Sequence, residues 1–187
     1  MKSNGGYLII ESILSISIIV ILSTMLCSLI LFSTTLKLNV EDKVELQQQA
    51  SDISGHIKEL IGKSKGIMSI QSKKKELAYG SDETVVDVIS IKCKYRNDNE
   101  LQSSTIKDKE LSLKVDTNKL FINTLYNNGV SEPGGYEIGN YIDNVYISMS
   151  NQGRCANIKL ALSKNKQYYE TKFKIYIKDF EGEKLWE

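Results

Sequence analysis

The sequence predicts an α+β fold: a long N-terminal helix, membrane-compatible in its first half and amphipathic in its second, packed on an antiparallel β-sheet. Three observations carry this. From Ser12 to Leu36 there is no charged residue and no proline. From Val40 to Ile61 apolar residues recur every three or four positions. Beyond Gly66 the apolar period changes to two.

The apolar run comes first. As a helix, Ser12–Leu36 is about 37 Å long at roughly 1.5 Å per residue, and about 20 apolar residues cross a bilayer's hydrocarbon core. The run can therefore span a membrane. A carboxylate, Glu11, stands at its start, where a charge near lipid is costly, by about 2.5 kcal/mol or more at the bilayer centre. A removable secretory signal has a shorter apolar core of about 7–15 residues and a small-residue cleavage site. Here the core is longer, only Lys2 precedes it, and Thr24-Met25 before Leu26-Cys27 do not make a lipoprotein pattern. Lys37 and Lys43 follow the span, so the count of basic residues does not orient it.

The helix is predicted to continue. Val44, Leu46, Ala50, Ile53, Ile57, Leu60 and Ile61 form a stripe suited to packing on a sheet. Glu41, Asp42, Lys43, Glu45, Gln47, Gln48, Asp52, Lys58 and Glu59 fill most of the rest. Gly62 and Gly66 are stop signals. A helix over residues 7–61 would be about 80 Å long.

Strands are predicted at Ile67–Gln71, Thr84–Tyr95, Leu111–Val115, Leu120–Leu125, Tyr141–Met149, Ala156–Leu162 and Tyr168–Lys178. Alternation is clearest at the end, with Thr171, Phe173, Ile175 and Ile177 on one face and Lys172, Lys174, Tyr176 and Lys178 on the other. Asp116-Thr117-Asn118, Asn151-Gln152-Gly153 and Lys164-Asn165-Lys166 read as turns. The last three strands read as an antiparallel meander, its apolar face under the helix. Tyr126–Asn140, with Asn127-Asn128-Gly129 and the lone proline Pro133, reads as the longest loop.

Gly6 followed by Tyr7-Leu8-Ile9-Ile10-Glu11 and a long apolar helix resembles the N-terminus of type IV prepilins and pseudopilins. The resemblance covers about 30 of the 187 residues. It implies a leader over 1–6, cleaved after Gly6 by a membrane-embedded prepilin peptidase, with N-methylation of the new terminus at Tyr7. It makes Glu11 the carboxylate that meets the amine of a neighbouring subunit during assembly. The remaining divisions are then a transmembrane or filament-core helix over 7–36, an amphipathic continuation over 37–66, and an exterior β-rich domain over 67–187. The resemblance also implies that the N-terminus lies inside. Tyr7 replaces the usual phenylalanine and Leu8 a common threonine. Many major pilins have a helix-kinking proline at the position of Ser28, which favours a minor pilin or pseudopilin here. The chemistry is sound by itself: cleavage creates an α-amine one helical turn from Glu11, and a charge tolerates lipid better when paired.

The implied partners are the prepilin peptidase, other pilin subunits in a hetero-oligomeric filament, and the cytoplasmic membrane. The implied location is the membrane before assembly and a cell-surface filament after it. Other readings stay open: a competence or type II secretion pseudopilin that binds DNA or a surface, or an unrelated signal-anchored exterior protein. The chain has 24 basic and 23 acidic residues, and loss of Lys2 with the leader makes these numbers equal. That balance argues against bulk binding of nucleic acid. Lys73-Lys74-Lys75 reads as a solvated turn, and Asn97-Asp98-Asn99-Glu100 as an acidic hairpin tip without the spacing of a calcium loop.

No enzyme is expected. The single histidine, His56, falls on the amphipathic helix, and neither a Gly-x-Ser-x-Gly elbow nor a His-Glu-x-x-His motif occurs. No cofactor or metal is implied. Cys27 is an apolar filler in the span. On an oxidising side, Cys93 and Cys155 are the candidates for a disulfide. Pairing needs their Cα atoms within about 7 Å, which sequence does not fix.

Overall fold

The structure is a computed structural model that describes residues 5–73, 85–96 and 106–181. Lys74 and Lys75 of the basic run, Asn97–Glu100 and residues 1–4 of the leader lie outside the described residues. The order is α1 (Gly5–Gly62), β1 (Gly66–Ser72), β2 (Val86–Lys94), β3 (Lys109–Lys114), β4 (Lys119–Thr124), β5 (Tyr136–Gly139), β6 (Ile142–Ser150), β7 (Cys155–Lys164) and β8 (Gln167–Tyr176). The chain divides into two compact units between Glu41 and Asp42.

In the second unit the helix packs on a curled, all-antiparallel sheet. The strand order is β5-β4-β3-β2-β6-β7-β8, with β1 paired to β2 off that path. β2 is the hinge of the arrangement. Its C-terminal half pairs with β3, with Ile91 opposite Leu111, while its start pairs with β6, with Val86 opposite Ile147. The predicted meander β6-β7-β8 is present, with ten aligned residue pairs joining β7 to β8.

The helix contributes Leu46, Ala50, Ile53, Ile57, Leu60 and Ile61 to the core, all buried. Against them lie Ile91, Leu111, Leu113 and Leu120 from one half of the sheet, and Val145, Ile147, Ile158, Leu160, Leu162 and Ile175 from the other. Apolar burial of this kind contributes about 25 cal/mol per Å². Val44, expected in the stripe, is instead exposed. At roughly 100° per residue it lies about 200° around the helix from Leu46, so it points away from the sheet.

The first turn of this unit is tied to the β7–β8 turn. Lys164 Nζ lies 3.0 Å from Asp42 Oδ1 and 2.5 Å from Glu45 Oε2, and Asn165 Nδ2 donates to Asp42 Oδ2 at 2.7 Å. Hydrogen bonds from Asn165 and Lys164 hold the Asp42 carboxyl below its ordinary pKa. Asn165 adopts φ 54°, a left-handed conformation that asparagine tolerates better than most residues. Asn118 and Asn151 do the same at the other two predicted turns, with φ 54° and 53°.

The segment Tyr126–Asn140 corrects the sequence reading: it is not one long loop. It contains β5, which pairs with β4, Tyr136 opposite Ile122 and Gly139 opposite Leu120. A strand of only 4 residues carries too little alternation to read. β5 also runs close to the helix at Gly139, where an added Cβ would fall 2.3 Å from Ile53 Cδ1 and 2.4 Å from Cγ1. Glycine is required there by space.

Asp108 anchors the junction after β2. Its side chain accepts from the backbone amides of Tyr95 and Arg96 at 2.8 and 3.2 Å, and from Arg96 Nε and Nη2 at 3.0 and 2.7 Å. Burial by itself raises the Asp108 pKa, but the Arg96 guanidinium and the two amides outweigh it and leave the carboxyl below its ordinary value.

Two predictions follow from these contacts. Gly139→Ala forces Ile53 out of its packed position and should lower stability by about 1–3 kcal/mol, as overpacked cores do, read from urea unfolding of the chain in detergent micelles. Asp108→Asn strips the charge from a forked ion pair and should cost about 1.5–3 kcal/mol at pH 7. A carboxyl depressed in the folded state stabilises above its unfolded pKa, near 3.9, and loses that contribution as pH falls through the folded value. The wild type should therefore lose stability faster than the variant below about pH 4, and parallel urea midpoints across that range would count against the role.

Candidate processing and assembly site

The first unit is helical from Gly5, so Gly6, Tyr7 and Glu11 share one helix. Tyr7 and Glu11 are four residues apart and therefore lie on the same face one turn apart; both side chains are exposed. Large apolar residues point outward all around this helix, Ile9, Ile10, Ile13, Leu14, Ile18, Leu22, Leu29 and Phe32 among them. A helix apolar on every side is one that water does not surround. By length and composition it can cross a membrane, and it fits a single-pass anchor or a signal sequence.

The hydroxyls on this stretch do not contradict that solvent. Ser17 Oγ donates to the Ile13 carbonyl at 2.8 Å, Thr24 Oγ1 to Ile21 at 2.8 Å, and Ser28 Oγ to Thr24 at 2.9 Å. Thr34 and Thr35 both donate to Leu31, each at 2.9 Å. Each of these groups is satisfied within the helix, which is the condition for polar groups in hydrocarbon. The charged surface resumes with Lys37 and Glu41, 3.7 Å apart.

Glu11 differs from these hydroxyls. It cannot back-bond as a neutral donor when ionised, since a carboxylate only accepts. A cation is the partner that answers its charge.

Cys93 and Cys155, the candidates for a disulfide, are both free and buried in this structure. Cys93 on β2 belongs to the core. On β7 the core takes Ala156, Ile158 and Leu160, so Cys155 lies on the alternate face of that strand, and β6 lies between β2 and β7 in the sheet. Burial, with the Asp108 charge adding to it, pushes the Cys93 thiol up to about 12.

Two of the second unit's clefts involve residues singled out above. One, of about 380 Å³, lies between helix and sheet, lined by His56, Glu59, Lys63, Tyr95, Lys109 and Tyr136 among others. The His56 ring meets Tyr136 edge-on with centroids 6.1 Å apart, the Tyr95 hydroxyl donates to the Leu60 carbonyl, and Glu59 is held by Lys63 at 2.5 Å. His56 thus lies on the surface helix as expected and packs on an aromatic ring.

The other cleft, of about 480 Å³, crosses β6, β7 and β8. Strand register sets Tyr146, Lys159 and Lys172 in one row and Ser148, Asn157 and Lys174 in the next. Sequence showed the lysines but not the row, because register is a long-range property. Glu170 lies 2.9 Å from Lys159 and 3.8 Å from Lys172, so much of the local positive charge is already answered. Among the described residues, no group of three or more His, Cys, Asp or Glu is placed to hold a metal ion.

No family model, curated protein or solved structure matches the chain.

Thiol labelling tests the cysteine geometry. Without reductant, the folded chain at pH 8 should leave Cys93 unalkylated, and denaturation should then expose both Cys93 and Cys155 to iodoacetamide. A mass 2 Da short of the fully reduced chain, as a disulfide gives (about two hydrogens lost per bridge), would reject it.

Proposed function

We propose that this chain is a minor pilin or pseudopilin, a structural and assembly subunit of a type IV pilus-like filament, processed between Gly6 and Tyr7 by a prepilin peptidase. The observation that carries the reading is Glu11. It is the one charged residue among the first apolar turns, it stands at the head of a helix that is apolar on every side, and it is one turn from the amine that cleavage would create on Tyr7.

The proposed mechanism has two stages. Before cleavage the helix anchors the precursor in the membrane and Glu11 lacks its amine partner. Afterwards the Tyr7 amine, methylated or not, and the Glu11 carboxylate form a complementary pair. An amine from one subunit meeting a carboxylate on the next sets axial register as the helices pack together. The outer domain, folded on the same helix, is carried to the cell surface. Moving from lipid to filament gains little hydrophobic energy, because lipid is already apolar, so this reading also requires a motor that extracts the subunit.

The test is intact mass and N-terminal sequencing of the chain from its native membrane. The expected wild-type chain begins at Tyr7, with or without a methyl group, and Gly6→Ala blocks processing. Glu11→Ala should insert and be cleaved normally yet be lost from filaments by about tenfold or more, as removal of one partner of a desolvated charge pair costs 2–5 kcal/mol. Normal incorporation of Glu11→Ala would remove the assembly role, and a chain that keeps residues 1–6 would remove the reading itself.

A further inference from the structure

The proposed cleavage falls at a bond that is already helical, because α1 begins at Gly5 and contains both Gly6 and Tyr7. Inside an α-helix each carbonyl is engaged by the amide four residues on, and the backbone coils around its own axis. A protease needs the scissile segment extended, with its carbonyl open to attack. The helix must therefore unwind at this end before the bond can be cut.

The sequence concentrates the means to do so at one place. Glycine loses the most backbone freedom in a helix and is the weakest helix former after proline. Gly5 and Gly6 are adjacent, and neither glycine nor proline occurs again until Gly55. Beyond them the helix runs on through apolar residues, better helix formers than glycine, and the hydroxyls of Ser17, Thr24 and Ser28 are each satisfied by a carbonyl of the preceding turn. Among the described residues, opening Gly5, Gly6 and Tyr7 releases the amides of Ile9, Ile10 and Glu11 from their carbonyl partners. Opening the same length further along would free polar backbone groups in the middle of the apolar stretch, where each is costly in lipid.

We propose that the Gly5-Gly6 pair is an unwinding segment, and that Gly5 is a positioning residue for cleavage: its poor helix propensity sets how readily the Gly6–Tyr7 bond becomes extended. The proposal rests on the processing reading above and gives a role to a residue that reading leaves unassigned. Gly5 acts through the backbone and needs no contact with the peptidase.

The experiment uses the full-length precursor and its Gly5→Ser and Gly5→Ala variants, each reconstituted in liposomes with the prepilin peptidase of the same source, with cleavage followed by mass spectrometry. Serine and alanine are close in size but differ in helix propensity. Cleavage should slow in the order Gly, Ser, Ala, by about twofold for serine and about four- to fivefold for alanine, at an unchanged bond. Without peptidase, hydrogen exchange of the Ile9, Ile10 and Glu11 amides should slow in the same order. Equal rates for glycine and alanine would overturn the proposal. So would serine and alanine being equally slow with exchange unchanged, since that pattern marks a contact made by the added Cβ. A wild-type chain left uncut at Gly6 would overturn the processing reading, and this proposal with it.

Discussion

The fold depends on a single helical face. Leu46, Ala50, Ile53, Ile57, Leu60 and Ile61 are the residues through which α1 meets the sheet, and each is buried. Strands from both ends of the strand order converge on that face, β5 through Ile138 and β8 through Ile175. A sheet exposing this much apolar surface on one side is not stable alone. The helix face is what lets the curled sheet bury it, and the close approach of β5 at Gly139 shows how little spare room the contact leaves. Polar ties then fix the ends: Lys164 and Asn165 on Asp42 and Glu45 at one turn, and the Tyr95 hydroxyl on the Leu60 carbonyl near the helix terminus.

Along one helix the environment changes without a break in secondary structure. Up to Val40 apolar side chains point in every direction; from Leu46 onward they keep to one side. Backbone propensity does not distinguish these two halves, since both are continuous helix. Only the distribution of side chains does, and it assigns the first half to an apolar surrounding and the second to a protein core.

That distinction is why so much was legible in the sequence. Helical and strand periods are local, and so are turn residues: Asn118, Asn151 and Asn165 all take the left-handed conformation at predicted turns. The misses are long-range. β5 is too short to show a period and exists because β4 offers an edge. Val44 is the exception, a local miss: at roughly 100° per residue it points away from the face that Leu46 opens, and it is exposed. Cys93 and Cys155 both stand in strands and both are buried, yet one belongs to the core cluster and the other lies on the alternate face of its strand. The lysine and tyrosine row across β6, β7 and β8 needed the register. The candidate processing site was legible because a peptidase motif is local by nature, read along a few consecutive residues.

On the proposed reading, the apolar half also explains why one acid carries such weight. A helix that is apolar on every side can slide and rotate against its neighbours with little change in contact energy, because any face resembles any other. Dispersion contacts then hold helices together without fixing their offset. A carboxylate and an amine in a low-dielectric surrounding do fix it, since their attraction falls steeply with displacement and each is costly to leave unpaired. One pair per subunit, at the same height on every helix, is enough to convert an indifferent apolar packing into a repeating one. The amine appears only on cleavage, so the pair also ties register to processing: an uncut subunit carries the carboxylate without the group that answers it. An uncut chain is thereby excluded by the same charge that orders a cut one.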